Sequence, residues 1–249
     1  MSAVRKICVV ITARPSYARI KTVLSAIEAH PDLELQLIVA ASALLDRYGK
    51  VIEVIRADGF VPNATVYALV EGENLVTSAK STGMAIMELA TLFDTLQPDV
   101  VVSVADRYET IATAISAAYL NRPVCHVQGG EVTGSIDEKV RHAVTKLSDI
   151  HCVASDDAAR RVIAMGEAPE TVHVTGCPSV DLAATIAAED DTAFDVYAAE
   201  GGQGVGHAFD TAGGYMVVMQ HPVTTNHEGA AEQLRTTLEV VHASGHPTF

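Results

Sequence analysis

The chain has 249 residues, of which 49% are hydrophobic and 19% are charged. These proportions supply a sizeable core and exclude a largely disordered protein. The formal net charge of −14 disfavours nucleic acid and anionic membranes as partners. A few local arginines can still hold a small anionic ligand on such a protein. We expect neither a secretory signal nor a membrane span, because the apolar runs are too short.

The cysteines and histidines give no metal-binding pattern. Four cysteines, Cys8, Cys125, Cys152 and Cys177, include no C-x-x-C pair, and no H-E-x-x-H motif occurs among the ten histidines. We therefore predict no metal and no cofactor. Because three of the cysteines lie in apolar runs, we expect buried free thiols in a reducing cytoplasm.

Strands and helices are predicted to alternate along the first 185 residues. Short apolar, β-branched runs predict strands at 6–12, 34–40, 99–104, 123–127, 150–154 and 171–175. Apolar residues at helical spacing predict helices at 18–29, 42–58, 74–96, 106–120, 137–148 and 155–165. This alternation predicts an α/β fold with a doubly wound parallel sheet covered on both faces.

The remaining sequence predicts a connector and the start of a second domain. Residues 186–213 are rich in glycine, but these glycines neither follow a strand nor open a helix, which favours a connector over a nucleotide-binding loop. A strand at 215–220 and a helix at 228–243 make 214–249 the beginning of a second Rossmann-like domain. We expect this domain to be incomplete, since one strand and one helix cannot bury a core alone.

Ligands of open parallel sheets bind beyond the carboxyl ends of the strands. After the first strand, Arg14 stands where a dinucleotide fold would carry G-x-G-x-x-G, which disfavours NAD and FAD. An arginine beside a helix N-terminus suits a phosphate, although a plain surface arginine is the alternative.

Asp106 and Arg107 follow the 99–104 strand, and Asp106 is either a carboxylate facing the ligand crevice or a helix cap. His221 follows the last strand and is either a ligand-facing or a structural histidine.

The densest candidate run follows the 123–127 strand. Gly129 and Gly130 allow the backbone to approach a ligand closely. Glu131 and Asp137 flank the turn, and Arg141 and His142 come one helical turn later. The alternative is structural: Asp137 caps its helix and pairs with Arg141 at i,i+4. We favour a functional site, because so many polar groups follow a buried strand.

Several runs resemble one family, the hydrolysing UDP-N-acetylglucosamine 2-epimerases. They are TARPSYARIK, VAASALLDRYGK, LQPDVVVSVADRYET, HVQGGEVTGSIDEKVRHAVTKLSDIHCVAS, MGEAPETVHVTGCPSVD and VVMQHPVTT. The stretch from Gly129 to Lys146 is the most specific of them. The resemblance implies a glycosyltransferase-B-like fold of two domains, a cytoplasmic enzyme, and a homodimer or tetramer. It also implies that the family continues well beyond Phe249, so this chain is expected to lack much of the nucleotide site.

The resemblance implies an activity and site residues. UDP-N-acetylglucosamine would be converted to N-acetylmannosamine and UDP, a step of sialic acid and nucleotide-sugar metabolism, by elimination of UDP to a glycal and addition of water. Asp106 and Asp137 match two catalytic acids, and Gln128 stands where most members carry a third, a glutamate. Because an amide cannot act as a base, Glu131 or Asp106 is expected to take over acid/base work. Residues expected to bind substrate are Arg14, Arg107, Gly129, Gly130, Ser135, Arg141, His142 and His221.

Other functions remain open at this level. The substrate is alternatively UDP-N,N'-diacetylbacillosamine, or the enzyme is a non-hydrolysing UDP-N-acetylglucosamine 2-epimerase. The departure at Gln128 also permits a non-catalytic module that binds sugar nucleotide. A glycosyltransferase of similar architecture is a weaker reading, since the Gly129 to Lys146 run is not typical of one.

Overall fold

The computed structural model describes residues 4–72, 74–104, 107, 109–134, 136–189, 197, 207–221 and 229–249. The chain divides into two compact units, Met1–Glu189 and Asp190–Phe249. No helix in the described parts of the chain combines the length and apolar character needed to cross a membrane.

The first unit contains a sheet of seven parallel strands. They are β1 (Arg5–Ile11), β2 (Leu33–Ala40), β3 (Ala64–Val66), β4 (Val100–Val104), β5 (Val124–Val127), β6 (Ile150–Val153) and β7 (Val172–Val174). Their order is β3-β2-β1-β4-β5-β6-β7, and every neighbouring pair is parallel. The predicted doubly wound parallel sheet is confirmed. The strand β3 was not predicted from the sequence.

Helices follow most of the strands. They are α1 (Arg14–Ala18), α2 (Lys21–Ala29), α3 (Val51–Ala57), α4 (Leu75–Leu96), α5 (Thr110–Tyr119), α6 (Ile136–Lys146), α7 (Asp156–Ala164) and α8 (Pro178–Ala188). The helix predicted at 18–29 corresponds to α2, which begins at Lys21, and the short α1 before it was not predicted. α4 begins at a capping box, in which the Asn74 side chain accepts the N–H groups of Val76 and Thr77.

The single helix predicted at 42–58 is wrong. Two 3₁₀ turns, Ala41–Leu44 and Asp46–Tyr48, precede the short α3. Gly49 and Lys50 then adopt positive φ angles of 79° and 39°. Such left-handed residues cannot belong to a right-handed helix, so the chain turns before α3 begins.

The core lies on both faces of the sheet because successive strand residues point to opposite sides. Val9 and Ile11 pack with residues of α2 and α3, whereas Cys8 and Val10 pack with residues of α4 and α5. Burying each aliphatic side chain of this kind stabilises the fold by about 1.5–3 kcal/mol. Packing on both faces fixes the position of the sheet, and it therefore also fixes the carboxyl ends of the strands.

The second unit contains α9 (Ala230–Ser244) and a short parallel bridge between Met216 and Thr248. The N–H of Val218 also donates to the carbonyl oxygen of Phe249 at 2.8 Å. The strand predicted at 215–220 is therefore wrong in extent, since Met216 alone among these residues forms a β-bridge. Aromatic rings cluster beside this bridge: Tyr197, Phe209, Tyr215 and Phe249.

The predicted connector, 186–213, differs from the structure at its start. α8 continues to Ala188 and includes the first residues of that range. Alanine has the highest helix propensity, and Pro178 at the first helical position favours helix initiation, so the alanine-rich run extends the helix. Residues 190–196 and 198–206 lie outside the described part of the chain.

Candidate functional site

The strand order reverses between β1 and β4, which lie next to each other although β2 and β3 follow β1 in sequence. This is the topological switch point at which open α/β sheets bind ligands. The carboxyl ends of β1, β4 and β5 are adjacent here. They lead respectively into Arg14, into the 105–109 connection and into the Gln128–Gly130 turn. Asp106 belongs to that connection by sequence but lies outside the described residues, as does Ser135.

Gln128 is buried, with 4% of its surface exposed, and has a positive φ of 66°. A non-glycine residue in this region carries a strain of about 1–3 kcal/mol that its surroundings must offset. Its N–H donates to the carbonyl oxygen of Cys152 at 2.8 Å. Its side-chain Nε2 donates to Sγ of Cys177 at 2.9 Å. The amide is therefore held within the protein by contacts on both sides.

The two glycines after Gln128 are required by the protein's own packing. A Cβ on Gly129 would lie 2.9 Å from Nδ1 of His126. A Cβ on Gly130 would lie 2.4 Å from the carbonyl oxygen of Ala158 in α7, and Gly130 also has a φ of 80°. The sequence analysis attributed these glycines to close approach of a ligand. The structure supplies a different reason, which is close contact with β5 and α7.

Glu138 fixes the loop between the glycines and α6. Its Oε2 accepts the N–H groups of Thr133 at 2.8 Å and Gly134 at 2.7 Å. These two backbone hydrogen bonds lower the pKa of the Glu138 carboxyl, since they favour its charged form. Asp137 precedes Glu138 in the first turn of α6 and is half-buried. Glu138 thus holds the loop against the first turn of α6, which also contains Asp137.

Arg141 holds the other end of the same loop. It is 2% exposed, and its Nη1 donates to the backbone carbonyl of Glu131 at 2.7 Å. Burial, followed by the nearby charge of Arg19, lowers the pKa of the Arg141 guanidinium. The Glu131 side chain itself is half-buried and makes no hydrogen bond or ion pair with the described residues. Arg141 therefore positions the backbone that carries Glu131.

Arg107 and His142 also have protein partners. Nε and Nη2 of Arg107 donate to the two carboxylate oxygens of Glu109, each at 3.2 Å. Glu109 is 2% exposed, so this fork-to-fork pair joins a half-buried cation to a buried anion. His142 Nε2 lies 4.0 Å from Oε1 of Glu138. Arg107 thus pairs with Glu109, and His142 lies beside Glu138, the residue that holds the loop before α6.

Arg14 is the first residue of α1 and is exposed. Its Nη1 lies 3.3 Å from the point where a Cβ on Gly49 would stand, so the side chain rests against the turn that precedes α3. α1 has only five residues, so its dipole adds less to anion binding than we expected from the sequence. His221 belongs to the second unit and is exposed.

Several residues whose contacts hold the candidate site in place were not predicted from the sequence. Arg161 of α7 donates from Nη1 to the carbonyl oxygen of Gly130, and Thr145 of α6 contacts His126 at 3.2 Å. Their spacing in the sequence gives no signal, because the contacts join separate elements. Glu138 was detectable, since it belongs to the conspicuous run that contains Asp137.

In the parts of the chain that the structure describes, no group of three or more His, Cys, Asp or Glu side chains could hold a metal ion. His242 and His246 have an i,i+4 spacing that the sequence analysis overlooked, but Gly245 ends α9 in a left-handed conformation between them. His246 is therefore not one helical turn above His242.

The cysteines are all free, and only Cys8 is fully buried, whereas we expected buried thiols generally.

Comparison with known proteins identifies the family. A family model described as UDP-N-acetylglucosamine 2-epimerase matches residues 25–248. The chain is 33% identical over 181 residues to the UDP-N-acetylglucosamine 2-epimerase of Neisseria meningitidis serogroup B, covering 73% of this chain and 47% of that protein. It is 36% identical over 178 residues to the UDP-N,N'-diacetylbacillosamine 2-epimerase (hydrolyzing) of Legionella pneumophila, covering 72% and 47%. The chain thus spans about half the length of these relatives.

Solved structures show the same fold. The UDP-GlcNAc 2-epimerase of Methanocaldococcus jannaschii in complex with UDP-GlcNAc and UDP matches with a TM-score of 0.76 and 17% identity, covering 98% of this chain and 64% of that one. The enzyme of Neisseria meningitidis bound to UDP-GlcNAc matches with a TM-score of 0.65 and 19% identity, covering 75% and 51%. The predicted fold and family are therefore confirmed, and the chain belongs to the UDP-N-acetylglucosamine 2-epimerase family.

Proposed function

We propose that the protein is a hydrolysing UDP-N-acetylglucosamine 2-epimerase, which converts UDP-N-acetylglucosamine and water to N-acetylmannosamine and UDP. The observation that carries this proposal is the loop from Glu131 to Asp137 at the carboxyl edge of the sheet. Arg141 holds one end of that loop and Glu138 the other. Two carboxylates, Glu131 and Asp137, belong to this loop, which follows β5 in a chain whose relatives are named as UDP-sugar 2-epimerases.

The proposed chemistry needs groups of three kinds. A base must remove the weakly acidic proton at C2 of the sugar while the C1–O bond to UDP breaks, which yields a glycal. Positive charge that develops at C1 needs a nearby anion, and the departing diphosphate needs cations or hydrogen-bond donors. Water then adds across the double bond, placing hydroxyl at C1 and a solvent proton at C2 with inverted configuration.

We assign the acid/base work to carboxylates. Asp137 and Asp106 occupy the positions of two catalytic acids in the resembled family, and Glu131 is a third acid of the same loop. Gln128 has an amide in place of an acid and already donates to Cys177, so we give it a positioning role. Glu131 or Asp106 then performs the proton transfer that a glutamate at position 128 would perform in other members.

We assign the diphosphate to Arg14, and His221 stays a substrate-binding residue that only the resemblance implies. Arg14 is exposed at the carboxyl end of β1, and a guanidinium suits phosphate oxygens. Arg107, in this proposal, uses its pair with Glu109 to hold the 105–109 connection in place for Asp106. We assign sugar binding to Gly129, Gly130, Ser135 and His142, as the resemblance implies.

A matched pair of variants tests this assignment. The longest form of the protein that its gene encodes is incubated with UDP-N-acetylglucosamine, and UDP and free N-acetylmannosamine are quantified by chromatography. Asp137→Asn is expected to lower turnover about 10²- to 10⁴-fold, the range of a lost general acid or base. Asp156→Asn is the control, because Asp156 is an exposed acid in the first turn of α7. Undiminished turnover in Asp137→Asn removes that residue from the mechanism.

The same incubation separates the alternatives. Recovery of UDP-N-acetylmannosamine in place of the free sugar assigns the protein to the non-hydrolysing type. A second incubation with UDP-N,N'-diacetylbacillosamine completes the test: turnover of that sugar alone identifies it as the substrate, an outcome favoured by the 36% identity to the Legionella pneumophila enzyme. Binding of sugar nucleotide without any product supports a non-catalytic module.

A cytoplasmic location and a homodimer or tetramer complete the proposal. Sugar nucleotides are made in the reducing compartment that the free cysteines suggest. Size-exclusion chromatography with light scattering measures the oligomeric state directly, and a monomer at micromolar concentration contradicts this part of the proposal.

A further inference from the structure

Two of the free cysteines lie on neighbouring strands with their sulfur atoms in contact. Sγ of Cys125 in β5 and Sγ of Cys152 in β6 are 3.8 Å apart. The register pairs Val127 with Cys152. Cys125 is two residues before Val127 and so points to the same face of the sheet, as a diagonal neighbour of Cys152.

Both thiols are half-buried, in contrast to Cys8, which has no exposed surface. They border the core cluster that contains Val127 without being enclosed by it. Their partial exposure is the feature on which access of a small thiol reagent to the folded protein would depend. Neither residue has a role in the proposed epimerase chemistry, so the contact calls for an explanation of its own.

A disulfide between them requires the side chains and the strand backbones to move. The S–S bond is about 2.05 Å long, so the sulfur atoms must close by less than about 2 Å, through rotamer changes and a small strand movement. Diagonal neighbours on a sheet are about 7–8 Å apart at Cα, beyond the usual range of a disulfide of about 4.4–6.8 Å, so closure also requires the two strand backbones to move. The resulting bond is strained, and strained disulfides are readily reduced.

We propose that Cys125 and Cys152 form a reversible thiol–disulfide site, which a low-molecular-weight disulfide such as oxidised glutathione closes and reduced glutathione reopens. This site is independent of the proposed epimerase activity. Its closure links β5 to β6 immediately before the Gln128–Gly130 turn, where the Cys152 carbonyl already accepts the Gln128 N–H.

The exchange proceeds in two balanced steps. The Cys152 thiolate attacks one sulfur of glutathione disulfide, forming a mixed disulfide and releasing one glutathione thiolate, which takes up a proton. Cys125 then loses its proton and attacks the Cys152 sulfur, releasing the second glutathione. Two protein thiols are oxidised, and one glutathione disulfide is reduced to two glutathione molecules. A hydrogen bond from the Cys125 thiol lowers the pKa of Cys152, which favours Cys152 as the first nucleophile.

Peptide mapping of the folded chain tests the proposal. The 249-residue chain is equilibrated with glutathione disulfide, quenched with acid and alkylated, and the thiols are counted before digestion with trypsin. Trypsin sites at Lys139, Arg141 and Lys146 separate the two cysteines. A bond between Cys125 and Cys152 therefore appears as two joined peptides whose combined mass is lower by two hydrogen atoms.

The expected result is loss of two of the four free thiols, with the Cys125–Cys152 peptide pair recovered and with full reversal by excess reduced glutathione. Cys8→Ser and Cys177→Ser are matched controls that should retain the cross-link. Cys125→Ser should abolish it and leave glutathione attached to Cys152. Circular dichroism confirms that each variant is folded, and alanine replaces serine in any variant that is not.

Three results overturn the proposal. The first is full alkylation of both cysteines in the folded wild-type chain after equilibration with the oxidant. The second is a bond from Cys152 to Cys177 in place of Cys125. The third is a cross-link that forms only after denaturation, which would make it a property of the unfolded chain.

Discussion

A Cβ added to Gly130 would lie 2.4 Å from the carbonyl oxygen of Ala158, closer than any real pair of such atoms. The turn after β5 therefore touches the backbone of α7 with no room for a side chain. Arg161, from the same helix, donates to the Gly130 carbonyl. The Gln128–Gly130 turn thus packs directly on α7, and its geometry depends on that contact.

Gly130→Ala should destabilise the protein by about 2–4 kcal/mol, because overpacking adds to the strain of a non-glycine residue at positive φ. Gly134→Ala is the matched control. Gly134 has a φ of 70° but has no atom within 4 Å of its added Cβ. This control should cost only about 1 kcal/mol. Urea denaturation measures both, and equal losses for the two variants would contradict the contact with α7.

Glu138→Gln should change the pH dependence of stability. Backbone hydrogen bonds lower the folded-state pKa of Glu138. Its contribution is therefore fully present above the unfolded pKa of about 4.3 and is lost as pH falls through the lower folded value. The difference between wild type and Glu138→Gln in urea midpoint should be largest near pH 7 and should shrink below about pH 4.3. Glu28→Gln, at an exposed position of α2, is the control. A difference that stays constant with pH would contradict the ionic origin.

Arg141→Lys should cost about 1–3 kcal/mol of stability, because a buried guanidinium that donates to the Glu131 carbonyl is replaced by a shorter, more strongly hydrated cation. Arg160→Lys on α7 is the matched control, since the Arg160 side chain is 71% exposed. The control should stay within about 0.5 kcal/mol of wild type. Chemical denaturation measures both, and an equally small loss in Arg141→Lys would remove Arg141 as the support of the loop.

The sheet was predictable from the sequence because its strands are apolar runs that tolerate burial on both faces. Local backbone conformation was less predictable. The left-handed Gly49 and Lys50 interrupt a segment that the apolar pattern predicts as one helix, and an alanine-rich run extends α8 into the predicted connector. At the site, the sequence indicated the run from Gln128 to His142. It gave no sign that Gly130 packs on Ala158, because that contact joins elements that only the folded chain brings together.

The most direct test of the central claim is the isotope content of the sugar product. The longest form of the protein that its gene encodes is incubated with UDP-N-acetylglucosamine in D₂O, and the released sugar is examined by NMR spectroscopy. Elimination followed by hydration predicts free N-acetylmannosamine with deuterium at C2 and release of one UDP per sugar. Free sugar that retains its original hydrogen at C2, or the absence of any free N-acetylmannosamine, would contradict a hydrolysing 2-epimerase.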